Sequence, residues 1–249
     1  RDFGSLAFER DLTLKTLSKE FPGFEKKFYE DIKKFQAKTN AQKAIYQWAN
    51  RNPENALEIM LNLVESIRGG NDSVLLSGAL NLLSQSQAIC GDIDTATETQ
   101  YESLAIKSSS ENIVGQANAY HNLLQFAKQN DDLELALSHA SRIVELVREM
   151  EDREWEMNAL ADFAHLLACD EQFDKSEQNY RLSIDLSEEL EDLTAAVISH
   201  WGIADLAMIR GDGQMAMEHY SQALASQIQT GTPAPPELIK RIDALTGPE

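Results

Sequence analysis

Five small side chains recur along this chain at an unbroken interval of forty residues: Ala56, Ala96, Ala136, Ser176 and Ala216. A fixed interval of this size means copies of one supersecondary unit, laid end to end. Two further positions keep the register. Four residues after each small residue come Met60, Gln100, Ala140, Tyr180 and Tyr220; seven after it come Leu63, Ser103, Ile143, Ser183 and Ala223. An i, i+4, i+7 spacing draws one face of a helix. The small residue lets a neighbouring helix approach, and the later positions pack behind it. Turn-forming residues stand just before each such helix: Asn52-Pro53, Gly91-Asp92, Asn130-Asp131-Asp132, Asp170-Glu171 and Gly211-Asp212-Gly213. Gly and Asn accept the left-handed conformation that ends one helix, and Asp caps the next. Pro53 suits a first turn, where its missing N–H costs little. A second apolar stretch precedes every turn, so each unit reads helix A, short turn, helix B. Neither helix can hide its apolar face alone, so the units must stack.

The combination Gly211-Asp212, Ala216, Tyr220 and Ala223, behind an apolar helix A, resembles the tetratricopeptide repeat (TPR). Gly91-Asp92 with Ala96, and Ser176 with Tyr180, match that pattern in part. The usual TPR period is about 34 residues. A forty-residue period adds roughly three residues to each helix, nearly one turn. The chain is therefore similar to long-helix TPR proteins of the kinesin light chain, Pins/LGN and bacterial signalling-regulator types. HEAT and armadillo repeats share a period near forty but lack the G-D-x-x-x-A turn. There are departures: the Trp-x-x-Leu-Gly spacing of helix A is missing, Trp201-Gly202 is only an echo of it, and the first unit is the most degenerate. The resemblance implies an all-α, right-handed superhelical solenoid of about five stacked helix-turn-helix repeats over residues 40–232, with helical caps.

Residues 1–39 fall outside the register and read as two helices broken at Pro22-Gly23, an N-terminal cap or linker. Residues 233–249 follow a breaker-rich stretch and carry one short amphipathic helix. A capping element with a polar outer face is its expected role. The first residue is Arg1, not methionine, so the chain is expected to be a piece of a longer or processed protein.

Charge narrows the partners. Residues 1–40 hold 9 basic and 7 acidic residues; the other 209 hold 13 and 34. An acidic body repels phosphate backbones and anionic lipid surfaces, which argues against nucleic acid and membrane as partners. It favours a neutral or basic protein segment. No apolar run reaches the length of a membrane span. Two cysteines, Cys90 and Cys169, are too few for a disulfide scaffold, and their apolar flanks suggest buried free thiols in a reducing cytoplasm.

No catalytic constellation is present. The sequence has no Gly-rich phosphate loop, no G-x-S-x-G, no H-E-x-x-H and no paired C-x-x-C. None of the five histidines has a same-helix partner one turn away, so no metal, cofactor or enzymatic activity is expected. A binding role remains. In TPR proteins helix A lines the concave wall, and the resemblance places the lining fifteen and eleven residues before each small residue. Those sets are Ala41, Asn81, His121, Ala161, Trp201 and Ile45, Gln85, Gln125, His165, Asp205. Outer positions add Asn118, Asn158, Trp48, Lys128 and Met208. The candidate partner-binding residues are Asn81, Gln85, Asn118, His121, Gln125, Asn158, His165, Trp201 and Asp205. Amide side chains both donate and accept, which suits an extended peptide backbone. A clamp for a C-terminal carboxylate is not expected, because Lys128 is the sole cation in the set. Two alternatives stay open. The array could be the regulatory or sensory region of a larger signalling protein, and edge repeats could self-associate into a homodimer.

Overall fold

The computed structural model describes residues 52–247. Among these are ten helices and no strand: α1 Pro53–Ile67, α2 Ser73–Ile89, α3 Ile93–Ser109, α4 Ile113–Gln129, α5 Leu133–Glu149, α6 Arg153–Cys169, α7 Phe173–Leu190, α8 Leu193–Ile209, α9 Gly213–Gln229 and α10 Pro236–Thr246. The expected N-terminal helix pair, and the wall positions Ala41, Ile45 and Trp48, lie outside the described residues.

The first nine helices begin every twenty residues, at 53, 73, 93, 113 and so on to 213. The forty-residue unit is thus two half-units of equal length. Six of the eight junctions between these nine helices are three residues long; 68–72 is five and 191–192 is two. Between α4 and α5, the Asp131 N–H bonds to the Lys128 carbonyl at 3.3 Å, and the Asp132 N–H reaches back to the Ala127 carbonyl at 2.9 Å. These two bonds satisfy carbonyls left open at the end of α4. The same Asp132 then caps α5, its carboxylate accepting from the Leu135 N–H at 3.0 Å. One residue closes one helix and opens the next. One residue just past the helix end takes positive φ, at Gly91, Glu111, Asp131, Glu151, Glu171, Glu191 and Gly211. The cap is Asp72, Asp92, Asn112, Asp132, Asp152, Asp192 or Asp212. Gln172 is the exception and makes no capping bond.

The described chain forms two compact units, divided after Ile106. In the first, α1 and α2 join through Ala56, Met60, Leu63, Leu80 and Leu83, and the Ser103 hydroxyl donates to the Ser77 carbonyl at 2.8 Å. In the second, each helix from α4 to α9 packs on the next, and α6 also touches α8. The A helices α6 and α8 of successive repeats therefore meet. Every register residue, from Ala56 to Ala223, is at most 4% exposed. Each buried leucine or isoleucine in such a core contributes about 1.5–3 kcal/mol. The buried serines are satisfied: Ser176 donates to the Ala164 carbonyl at 2.7 Å and Ser183 to the Met157 carbonyl at 2.9 Å. Hydroxyls can therefore stand where other repeats place alanine or isoleucine without the cost of an unpaired polar group.

Two aromatic positions have local consequences. Tyr180 is buried where α7 meets α8, and its ring lies so close to Gly202 that a Cβ there would overlap it. The glycine of Trp201-Gly202 is thus needed for close approach. At the C-terminus, Leu238 of α10 is fully buried with Ala216, Tyr220 and Ala223 of α9 and Val197, Ala204 and Ala207 of α8. Two expectations are corrected. Cys90 and Cys169 are exposed, not buried, because both sit where a helix ends and its apolar face gives way to the junction. Ala161 is buried and lines no wall. No helix among the described residues is long and apolar enough to cross a membrane.

Candidate functional site

The A-type helices α4 and α6 carry equivalent residues forty positions apart, and both are fixed at their first turns. Asn112 accepts from the Gly115 N–H at 2.9 Å to start α4. Asp152 accepts from the Trp155 N–H at 3.0 Å to start α6. The side-chain amide of Asn118 donates to the Val114 carbonyl at 3.0 Å, and that of Asn158 to the Glu154 carbonyl at 2.9 Å. Each amide is thereby tied to its own helix and keeps an oxygen that accepts. Asn118, His121, Asn158 and His165 are exposed, and Gln125 is half-buried.

Between these helices lies a shallow cleft of about 90 Å³. Its floor is Leu124, Ala140, Ile143 and Ala159, all buried. Its rim is His121, Trp155, Asn158 and Asp162. Small-molecule sites usually run to roughly 300–1,000 Å³. This cleft suits one side chain of a larger ligand. His121 and Asn158 were expected on such a wall; Trp155 and Asp162 were not. Both stand in α6 about one turn from Asn158, and a register counted only in forties skips them. Gln125 and His165 do not line the cleft. The His165 ring nitrogen lies 3.9 Å from the Cys169 sulfur.

The remaining expected residues sit elsewhere. In the first unit, Asn81 accepts from the Gln100 side chain at 3.0 Å, and Gln85 is half-exposed on α2. In the second unit, Trp201 and Asp205 of α8 are engaged by α9 and α10. Arg241 of α10 pairs with Asp205 at 2.8 Å and donates to the Tyr220 hydroxyl at 3.2 Å. The Tyr220 hydroxyl in turn donates to Asp205. Burial, reinforced by the Asp205 carboxylate, pushes the Tyr220 hydroxyl up to about 12, although Arg241 pulls the other way. Trp201 packs on the Leu238 cluster.

A histidine pair also went unseen in the sequence. His200 of α8 and His219 of α9 meet through their Nδ1 atoms at 3.0 Å. One nitrogen must donate and the other accept, so a neutral pair satisfies the contact. Burial, then the charge of His219 and of Arg181, holds His200 down to about 4. Burial and Arg181 also lower His219, against Glu218 and Glu177. Eighty residues earlier, Tyr120 and His139 occupy the same two positions with ring centroids 5.7 Å apart. Among the described residues no three His, Cys, Asp or Glu side chains converge as a metal site.

No protein-family model matches the chain, and no curated protein matches it. Solved structures do. BtubC (BKLC) from P. vanneervenii superposes with a TM-score of 0.70 at 14% identity, covering 93% of this chain and 92% of that one. The nearly identical TPR-like repeats attributed to a kinesin light chain of Podosopora anserina give 0.69 at 14% identity, over 80% of this chain and 98% of theirs. A signal-transduction ATPase with a tetratricopeptide repeat sensor, from Pyrococcus horikoshii, gives 0.68 at 13% identity over 94% of this chain but only 35% of its own. The fold is that of the TPR-like helical repeats.

Proposed function

We propose that this chain is a protein-interaction module, and that the outward faces of α4 and α6 hold a segment of a partner protein. The observation that carries the reading is the recurrence of exposed polar residues at equivalent positions on two neighbouring A-type helices, with an apolar-floored cleft between them. Asn118, His121, Gln125, Asn158 and His165 form that face. Rigid stacked helices present it already ordered, so little entropy is lost on binding. Between residues 52 and 247 there are 33 acidic and 11 basic side chains, which favours a neutral or basic segment over nucleic acid. Trp201 and Asp205 enter this reading only where α10 leaves them accessible.

Site-specific photo-crosslinking tests it. A photoreactive residue at 121 or 158 should capture a partner protein in cells. The same residue at the exposed B-helix position Leu182 should not. Capture at 182 alone would move the site off the A-type helices.

A second reading, the sensory region of a larger signalling protein, is favoured by the likeness to the repeat sensor of the signal-transduction ATPase. Its test is the full-length protein. Removing residues 52–247 should change the activity of an attached effector domain. An unchanged activity would discard this reading and leave the first untouched.

A further inference from the structure

We infer that the cleft between α4 and α6 is a socket for the cationic side chain of an arginine or lysine in a partner segment. The inference rests on the interaction reading above and specifies the residue that would anchor it.

Four observations converge. The floor of the cleft is aliphatic and its rim includes Trp155, so the site suits the methylene stem of a long side chain and the face of a cation. At the rim, Asp162 is exposed and makes no hydrogen bond or ion pair among the described residues. Beside it, Asn158 gives one amide N–H to the Glu154 carbonyl, which ties the group to its helix and leaves its side-chain oxygen to accept. A carboxylate and an amide oxygen over an apolar floor favour a donor.

The arginines of the described residues are already engaged. Each of the seven arginines between residues 52 and 247 is already ion-paired: Arg68, Arg142, Arg148, Arg153, Arg181, Arg210 and Arg241. None of these arginines is paired with Asp162, whose carboxylate stays open to a cation from a partner.

The last repeat shows how such a cation docks. There Arg241 arrives on a separate helix, pairs with Asp205 at 2.8 Å and rests on the Tyr220 hydroxyl, while Leu238 of the same helix fills the apolar ground below. Asp205 lies three residues beyond the position equivalent to Asp162, on the same kind of helix. In that repeat Arg241 of the chain meets Asp205; among the described residues no ion pair reaches Asp162.

The test selects binders from a random octapeptide display library with the full chain as bait. Asp162→Asn, which keeps the shape and removes the charge, and Glu154→Gln, which removes a charge on α6 outside the cleft, are selected in parallel. Wild type should enrich peptides that share arginine or lysine at one position, and the enriched identity tells the two apart. Asp162→Asn should lower affinity for those peptides about tenfold, the scale of one hydrogen-bonded charge, and should lose the preference at that position alone. Glu154→Gln should keep it. Enriched leucine or glutamate at the shared position would sink the socket while leaving the interaction face standing. An equal loss in Glu154→Gln would do the same, since it would assign the preference to the general acidic field. If no peptide is enriched, the interaction face itself is refuted and the socket with it.

Discussion

Two walls of the second unit use the same helical register and end differently. Around α4 and α6, the face presents His121, Asn158 and Asp162 to solvent. Around α8, the equivalent face carries Trp201 and Gly202, and α10 closes over its neighbours through Leu238 and Arg241. His121 and Trp201 are equivalent, eighty residues apart, and Asp162 and Gly202 are equivalent, forty apart. A TPR-like frame therefore does not decide whether a wall is open. The side chains written onto it do, together with whether a further helix arrives to cover them.

The closure should be separable from the frame. Leu238 is fully buried on α8 and α9, so Leu238→Ala should cost about 3 kcal/mol. That loss should fall on α10 and the residues beneath it. Hydrogen exchange should accelerate in 236–246 and in α8 and α9, with α4 to α6 still protected. Uniform acceleration through the second unit would mean that the two walls are one cooperative structure and the contrast between them is superficial.

Equivalent positions should respond with different force. Gly202→Ala puts a methyl into the Tyr180 ring. Helix propensity alone would favour alanine by about 1 kcal/mol, yet the overlap should dominate and destabilise by about 2 kcal/mol. Asp162→Ala, forty residues earlier and exposed, should stay within about 0.5 kcal/mol of wild type. Urea unfolding of the two variants compares them directly. If Gly202→Ala proves stabilising, the Tyr180 packing is looser than described.

The histidine pair sharpens the contrast through pH. His200 is held near 4 in the fold, below its ordinary 6.5. A depressed histidine contributes stability that is full above 6.5 and is lost as pH falls towards 4. The pair is only partly shielded from solvent, so the loss should be of order 1 kcal/mol. His200→Tyr would import the Tyr120–His139 pairing of the earlier repeat and should flatten the slope between pH 6.5 and 4. Carboxylates titrate in the same range, so the difference between variant and wild type is the relevant quantity. Parallel slopes would show that the pair is not what makes the last repeat acid-sensitive.

Much of this frame could be read in the residues. The forty-residue recurrence of Ala56, Ala96, Ala136, Ser176 and Ala216 names the buried seam, and all the positions that share its register are buried. The halving to twenty was less legible, because helix A and helix B bury different residue types. The shared feature lies in the junctions, where aspartate or asparagine recurs at 72, 92, 112, 132 and 152. The residues of the candidate cleft were legible only in part. His121 and Asn158 fall on wall positions, whereas Trp155 and Asp162 matter because α4 and α6 bring them to one cleft, which is a fact about neighbouring helices. Asp205 illustrates the reverse. It is an expected wall position, but its engagement depends on Arg241, 36 residues later on a helix whose docking no local pattern reveals. Cys90 and Cys169 looked apolar by their neighbours and are exposed by their place at helix ends.

A small expected effect lies at the junction that lacks a side-chain cap, ahead of the helix between the two faces. α7 begins at Gln172, whose side chain turns to Asp170 and Lys175 and leaves the helix uncapped. One methylene too many carries the amide past the third N–H of the helix. Gln172→Asn shortens it and should raise stability by about 0.5–1 kcal/mol, as restoring a cap generally does. Gln172→Asp offers the same geometry and a charge that favours a helix N-terminus. It also sets that charge beside Asp170 and Glu171, which opposes it at low salt. Asparagine should therefore equal or exceed aspartate in dilute buffer, and the two should converge as salt screens the repulsion. Thermal unfolding at two salt concentrations decides the matter. Should neither variant stabilise, the missing cap at α7 is already compensated by the junction's backbone bonds, the Gln172 N–H to the Leu167 carbonyl at 2.9 Å foremost, and the side-chain cap is dispensable where those bonds are intact.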